Sequence, residues 1–502
     1  MAFLERNANR GSISSDLELS NSLMMDNHGS NANSNNFNHQ QMTTGGDDQW
    51  AANANAGTND KKATISMWVK RAKLSPSSGD GQYARLFQFQ TGGNATSLYF
   101  VTDQLKMYDD VTSASLQTNR KFRDTSAWYH IVLAMDSTQS TAADRVKLYV
   151  NGVQETSWAT EDYGNQNTDL AMFSTTNVVF YLGCAAGNGQ GYSFDGYITE
   201  FNFVDGAQKA ASDFGEYDED SGIWIPKEYT GSYGTLGCYY NFEDTSSNRF
   251  NDESGNGNFM NNRGGSFEGK ITTDTPTNNF ATLNTLQGNN SKLTITGGAT
   301  NVVKSGNHGW QTTNANIAVS VGKWYAEFKL DSSCDLVMIG VNQADNEVAW
   351  YGSHIGAYSN STAQGMGYYS SNGHFYRNGG SGAIGSSYLS GDIIGIAFCY
   401  NSNGTAFMGM SKNGTWQNSQ DPSSGTTNML GLNYGNAFTN NEMYTFAIST
   451  HEDAGGVLAN FGGYEGFTVS SGNTDANGYG NFEYAVPTGY YALCTKNLAE
   501  FG

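Results

Sequence analysis

Residues 128–152 read WYHIVLAMDSTQSTAADRVKLYVNG, and this stretch restricts the fold more tightly than any other. In its first run Tyr129, Ile131, Leu133 and Met135 alternate with Trp128, His130, Val132 and Ala134. Successive side chains point to opposite faces of a strand, so both faces here are apolar, as in a strand in the middle of a layered fold. Val146, Leu148 and Val150 then point one way in a second strand, and Asn151-Gly152 supplies the two positive-φ residues of a tight turn. The small-residue insert STQSTAAD between the runs reads as a surface loop. His130 has no second histidine or carboxylate at metal-ligand spacing in its strand, which makes it a structural histidine.

Similar signals fill the chain from Lys62 to about Phe203: ATISMWVKR, ARLFQFQ, SLYFVTD, LKMYDD, NVVFYLG and FDGYITEFNFVDG, each bounded by turn residues. A second strand-rich region carries KWYAEFKLD, DLVMIGVN, GMGYYSSNGHFYRNGG, GDIIGIAFCYNSNGTAFMGMSKNGTW and MYTFAIST. There Ile394, Ile396 and Phe398 share a face, Asn403-Gly404 turns the chain, and Phe407 and Met408 return before Asn413-Gly414, in outline a three-strand meander. With 61 glycines, 5 prolines and 13% aromatics, the composition is turn chemistry between aromatic and β-branched runs. The expected fold is all-β, with two β-sandwiches at 61–215 and 291–502. Residues 1–60 read as an Asn-rich polar arm with one edge strand in LELSNSLMM, and 216–290 as a partly ordered connector packed partly on the first sandwich.

A net charge of −21, from 47 acidic and 26 basic residues, would repel a polyphosphate, so nucleic acid is excluded as a partner. No run approaches the roughly 18 apolar residues of a membrane span, and MAFLERNANRGSISSD lacks a signal-peptide core. Neither membrane insertion nor a cleaved signal is expected. Cys184, Cys238, Cys334, Cys399 and Cys494 have no CxxC spacing and read as buried free thiols of a chain folded in a reducing cytoplasm.

The segment AWYHIVLAMDSTQSTAADRVKLYVNGVQ followed by FDGYITEFNFVDG resembles the laminin-G/concanavalin A-like lectin module over roughly residues 62–215. GKWYAEFKLDSSCDLVMIGV with GDIIGIAFCYNSNGTAFMGMSKNGTW is similar to the SPRY module, over roughly 291–465. Both resemblances imply concanavalin A-like jelly-roll sandwiches. KFRDTSAWYHIV, FGEYDEDSGIWIPKEYTGSYGTLG, DESGNGN, DTPTNNFATLN and NFEYAVPTGYYALCTKNLAE further resemble segments of structural or appendage proteins of marine tailed bacteriophages. That likeness implies a homo-oligomeric virion surface protein, assembled in the bacterial cytoplasm beside other virion proteins. Attachment to host-surface glycan as a tail or head fibre and capsid decoration without receptor binding are both open at this point.

A glycoside hydrolase on such a sandwich needs two carboxylates across the scissile bond, and no E-x-D-x-x-E strand is present. HExxH, CxxC and GxSxG are also missing, and GNGQGY at Gly187–Tyr192 opens no helix that would make it a phosphate loop. A non-enzymatic binding protein is therefore expected, with a depolymerase as the third reading. Sugars offer apolar C–H faces beside hydroxyls, so they select exposed aromatics on loops. The candidates are Trp350, Tyr351, His354, Tyr358, Tyr368, Tyr369, His374, Tyr376, Arg377 and Trp416. No cofactor is expected beyond calcium, for which Asp136, Asp144, Glu216, Asp218 and Asp220 are the candidate ligands, against the plainer reading of solvated turn carboxylates.

Overall fold

The computed structural model describes residues 17–25, 40–42, 57–74, 82–91, 93–173, 178–185, 194–243, 249–262, 271–286, 292–304, 309–331, 336–345, 353–357, 365–377, 379–426, 428–431, 442–451, 456–464 and 466–502. They form antiparallel sheets almost throughout, in two compact units that divide between Thr277 and Asn278. Most of the Asn-rich arm lies outside the described residues, as does the glycine-rich stretch Gly187–Tyr192.

In the first domain one sheet runs, neighbour to neighbour, through Val153–Gln154, Val146–Val150, Trp128–Asp136, Lys62–Arg71, Gly196–Asp205, Ser22–Met25 and Ile271–Thr272. The facing sheet is built around Ala114–Lys121, Gln104–Asp109, Asn94–Val101, Tyr83–Thr91 and Val179–Leu182. Ile65, Val69, Ile131, Leu133 and Met135 from the first meet Phe87, Phe89, Leu98 and Phe180 from the second in one buried core. Asn151 and Gly152 take φ values of 48° and 79°, the turn their sequence demands. The polar insert closes with one helical turn, Ala142–Arg145.

The outer face of the Trp128–Asp136 strand is covered as well. Val132 packs with Val204, Ala211, Phe214 and Tyr229, and Tyr149, Trp224 and Tyr233 close over them. Residues 207–233 thus form a third layer, which is why the alternating run is apolar on both sides. Residues 216–277, read from sequence as connector, also supply sheet strands. Cys238–Tyr240 pairs with Gly196–Asp205, and Ile271–Thr272 pairs with Ser22–Met25. Ser22–Met25 therefore lies inside the sheet and not at its edge, with Leu23, Met24 and Met25 all buried. Asp274 reaches Lys70 at 2.7 Å in an ion pair shut off from water.

The second domain is a separate sandwich. One sheet contains Asn301–Lys304, Gly456–Asn460, Gly322–Leu330, Ile393–Tyr400 and Ala406–Lys412; the last two and Thr415–Trp416 make the expected meander. Asn413 and Gly414, at φ 49° and 76°, form a tight turn like that of the first domain, whereas Asn403-Gly404 belongs to a longer loop closed by Asn401 N–H donating to Thr405 O. The other sheet runs Gln311–Asn314, Tyr444–Thr450, Val337–Gln343, Gly365–Tyr369, His374–Arg377 and Gly380–Ala383. Phe328 and Phe446 meet between the two at 6.3 Å. Cys184, Cys238, Cys399 and Cys494 are buried free thiols, while Cys334 lies outside the described residues.

Candidate functional site

The six-stranded sheet of the second domain turns one face inward and carries a ring cluster on the other. Gly367 lies opposite Tyr376, and Tyr368 opposite Phe375. With period two, Tyr369, His374 and Tyr376 therefore share the face of Gly367, while Tyr368 and Arg377 share the opposite one. Thr312 and Ser449 hydrogen-bond across that outer face at 2.7 Å, which puts Trp310 and His451, two residues from each, on the same side.

The residues beneath are small. Gly340, Gly367, Ala447 and Ser449 leave room for the segment 353–357 to lie directly on the sheet. Ile355 N–H donates to Ser449 Oγ at 3.1 Å, Thr312 Oγ1 donates to Ser353 O at 3.1 Å, and Ile355 is fully buried. A Cβ on Gly356 would stand 2.2 Å from the Tyr376 carbonyl, so only glycine fits there, at φ 76°. This segment delivers His354 to the cluster.

Five rings then meet edge to face. Trp310 lies 5.1 Å from His354, 5.8 Å from Tyr369 and 5.2 Å from His451, and Tyr376 lies 5.3 Å from His354 and 5.6 Å from Tyr369. All five are half-buried, so each ring offers part of its surface to solvent in a geometry fixed by its neighbours. His354 Nδ1 lies 2.9 Å from Ile355 O. A carbonyl only accepts, so Nδ1 carries the proton and Nε2 keeps a lone pair. Burial lowers the His354 pKa, against the opposing pull of that hydrogen bond, which favours the neutral imidazole. The arrangement can present apolar ring surface together with a hydrogen-bond acceptor and tyrosine hydroxyls.

The structure therefore brings together His354, Tyr369 and Tyr376 among the sequence candidates and adds Trp310 and His451. His374 stands on the same face. Tyr368 does not: it is fully buried against Tyr388, and its hydroxyl donates to Ser386 O. Arg377 is turned the other way too, donating from Nη1 to Gly431 O and stacking on Phe375 at 5.2 Å. Trp416 packs against the buried cluster of Phe280, Tyr325 and Tyr490. Trp350, Tyr351 and Tyr358 lie outside the described residues.

The calcium candidates are engaged in other ways. Asp136 accepts from Thr138 N–H, Thr138 Oγ1 and Gln139 Nε2 and pairs with Lys62 at 3.1 Å. Burial pulls its pKa up, and these partners outweigh it, leaving the carboxyl below its ordinary value. Asp144 pairs with Lys147 and Glu216 with Lys227, each at 3.1 Å. Asp218 accepts from the Ser221 N–H and hydroxyl, a turn contact. Asp220 is an exposed turn residue. Among the described residues no three His, Cys, Asp or Glu side chains gather closely enough to hold a metal ion, so calcium is not assigned to them.

His130 is a packing residue with a defined task. It stacks on Trp68 at 4.9 Å, and its ring lies side by side with that of Trp224, centroids 5.9 Å apart and planes 24° apart. Trp224 Nε1 donates to His130 Nδ1 at 2.9 Å, so Nε2 bears the proton and donates to Ser66 Oγ at 2.8 Å. Burial lowers its pKa to about 3, keeping the ring neutral.

Residues 44–212 match the family described as the concanavalin A-like lectin/glucanases superfamily. Solved structures similar to the chain include a human SPRY domain, at 17% identity over 34% of this chain and 94% of that one, with a TM-score of 0.25. Another is the heptameric SAP-like pentraxin of Limulus polyphemus, at 16% identity over 38% of this chain and 77% of that one, with a TM-score of 0.26. No curated protein matches the chain.

Proposed function

We propose that this chain is a non-enzymatic glycan-binding protein, and that it works at the surface of a bacteriophage particle as a tail or head fibre contacting host-surface carbohydrate. The observation that carries the binding reading is the cluster of Trp310, His354, Tyr369, Tyr376 and His451 on the outer face of a β-sheet. Partly exposed rings held edge to face suit the C–H faces of a pyranose, and the imidazole and phenol groups suit its hydroxyls. The family match over residues 44–212, whose description includes lectins, supports the same ligand class. The virion setting rests on the resemblance of several segments to phage appendage proteins, with other virion proteins as partners and a homo-oligomer as the assembled form.

The test is binding of the purified chain to an array of bacterial surface polysaccharides, beside Trp310→Ala and Tyr376→Ala. Binding that falls about tenfold or more in both variants supports the reading. Absence of binding, with antibody labelling regularly spaced over capsids, overturns the fibre reading in favour of capsid decoration. Release of reducing sugar that disappears on a carboxylate substitution overturns the non-enzymatic one.

A further inference from the structure

Lys70 and Asp274 form the one lysine–carboxylate pair among the described residues in which both side chains are sealed from water, 0% and 1% exposed, with Nζ 2.7 Å from Oδ2. Lys62–Asp136 and Lys412–Asp392 leave their lysine side chains 31% and 24% exposed.

The strand register explains the seal. On the outer face of the first sheet Lys70 lies opposite Trp128 on one side and Tyr197 on the other, and Tyr197 lies opposite Met24. Cross-strand partners share a face, so two aromatic rings flank the lysine, with Nζ 5.3 Å from the centre of the Tyr197 ring. Trp128, Tyr197 and Met24 are themselves buried. The segment after Ile271–Thr272 reaches this row and is pinned there. Asp274 N–H donates to Thr272 Oγ1 at 3.0 Å, and the Asp274 carbonyl accepts from Ser22 Oγ at 2.6 Å. Both carboxylate oxygens are placed as well, Oδ2 on the Lys70 ammonium and Oδ1 on the Trp128 indole N–H at 3.1 Å.

Such a site removes what normally keeps these two groups apart chemically. In water, hydration of the ions holds an ammonium and a carboxylate back from forming an amide. Burial strips that hydration, and the fold holds the reacting atoms in contact. Burial also lowers the Lys70 pKa from its ordinary 10.5 in spite of the Asp274 carboxylate, and so favours the neutral, nucleophilic amine.

We propose that Lys70 and Asp274 condense in the folded chain into an intramolecular amide, cross-linking the Lys62–Arg71 strand to the segment that closes the first domain. The ammonium passes one proton to Oδ2 across their hydrogen bond. Nζ then attacks Cγ, and the carbonyl electron pair moves to Oδ1, where the Trp128 N–H stabilises the charge. A second proton moves from Nζ to Oδ2, the Cγ–Oδ2 bond breaks, and Oδ2 leaves as water while the carbonyl re-forms. Every atom and proton comes from the pair itself, so no co-reactant is consumed. The newly folded chain carries the ion pair, whose charges govern stability until the amide closes. The link spans 204 positions of sequence, and the second domain begins soon after it, at Asn278. Tension arriving through the second domain would pass from Asp274 straight to Lys70 and leave residues 71–273 unloaded. None of this depends on the ligand proposed above.

Denaturing intact-mass spectrometry of the full chain, before and after prolonged incubation at neutral pH, tests the proposal. The mass should fall by one water, and proteolysis should yield a branched peptide joining the Lys70 and Asp274 segments. Lys70→Arg and Asp274→Ala should keep their full mass, as should the unsubstituted chain incubated in denaturant, because the reaction needs the folded site. A folded chain that keeps its full mass overturns the inference, and so does water loss without the branched peptide. Water loss that persists in Lys70→Arg or in denaturant would mark a succinimide at an aspartate and also overturn it. The deciding measurements are made on the unsubstituted chain, so a variant that fails to fold does not obscure them.

Discussion

Replacing Asp274 by alanine tests how the first domain is closed. One Asp274 oxygen lies 2.7 Å from the Lys70 ammonium, with the two side chains 1% and 0% exposed. The other accepts the Trp128 indole N–H at 3.1 Å. At that separation and an effective dielectric of about 20, the attraction is roughly 6 kcal/mol. Desolvating the two ions costs several kcal/mol each. The intact pair therefore adds little net stability, but deleting the carboxylate forfeits the attraction while the ammonium stays buried. The expected loss is about 3–5 kcal/mol, with about 1 kcal/mol more for the indole hydrogen bond. In a domain of this size the first-domain calorimetric transition should fall by on the order of 10 °C. Burial already lowers the Lys70 pKa from its ordinary 10.5. Losing the carboxylate lowers it further, so the penalty should shrink as pH rises toward 10.5. Lys70→Met with Asp274→Leu should recover most of the loss, because an apolar pair of similar volume has no ions to desolvate. A loss below about 1 kcal/mol for Asp274→Ala would refute this account. A shift confined to the second-domain transition would refute the placement of residues 216–277 in the first domain.

Burial raises the Glu200 and Glu327 carboxyls from 4.5 to about 7. Their stability contribution is complete below pH 4.5 and is lost as pH rises through about 7, on the order of 3 kcal/mol each. Melting profiles across that range should flatten in the first-domain transition for Glu200→Gln and in the second-domain transition for Glu327→Gln; unchanged profiles would contradict the assignment. His130→Phe strips the acceptor from Trp224 Nε1 and the donor from Ser66. It should cost about 2–4 kcal/mol and change the near-ultraviolet circular dichroism of Trp68 and Trp224; a cost near zero would show the histidine to be dispensable. Gly356→Ala forces a methyl toward the Tyr376 carbonyl at a positive φ. It should lift 353–357 off the sheet, reducing stability by about 1–3 kcal/mol and weakening glycan binding along with it. Calcium and chelator should leave both calorimetric transitions where they are, and a rise with calcium would contradict the ion pairs and turn contacts assigned to Asp136 and Glu216.

Local patterns were legible where the physics is local. The hairpin at Asn151-Gly152 and the meander through Asn413-Gly414 follow from period-two alternation and from residues that tolerate positive φ. The strands of 216–277 were not legible, because Cys238–Tyr240 and Ile271–Thr272 are too short to show a period. Their place is set by partners far away in the chain, such as Ser22 and Phe203. Of the candidate ring residues, those on one hairpin could be named together from GYYSSNGHFYRNGG. Trp310 and His451 carried no such signal, since they end strands that become neighbours only when the sheet forms.

Tyr368 and Tyr369 show the division most clearly. Adjacent residues in a strand must face opposite ways, and alternation alone establishes that for any sequence. Which of the two enters the core depended on where the other sheet lay, and the fold buried Tyr368 and left Tyr369 among the surface rings. His130 is the same case in the first domain: its strand position was evident from the alternation in WYHIVLAMD. Its partners, Trp68 and Trp224, come from a neighbouring strand and from a layer folded over the sheet. Strands, turns and the all-β class follow from φ, ψ and the period of apolar side chains, which neighbouring residues encode. Which rings meet and which faces stay open depends on contacts between distant segments, and no local pattern encodes those.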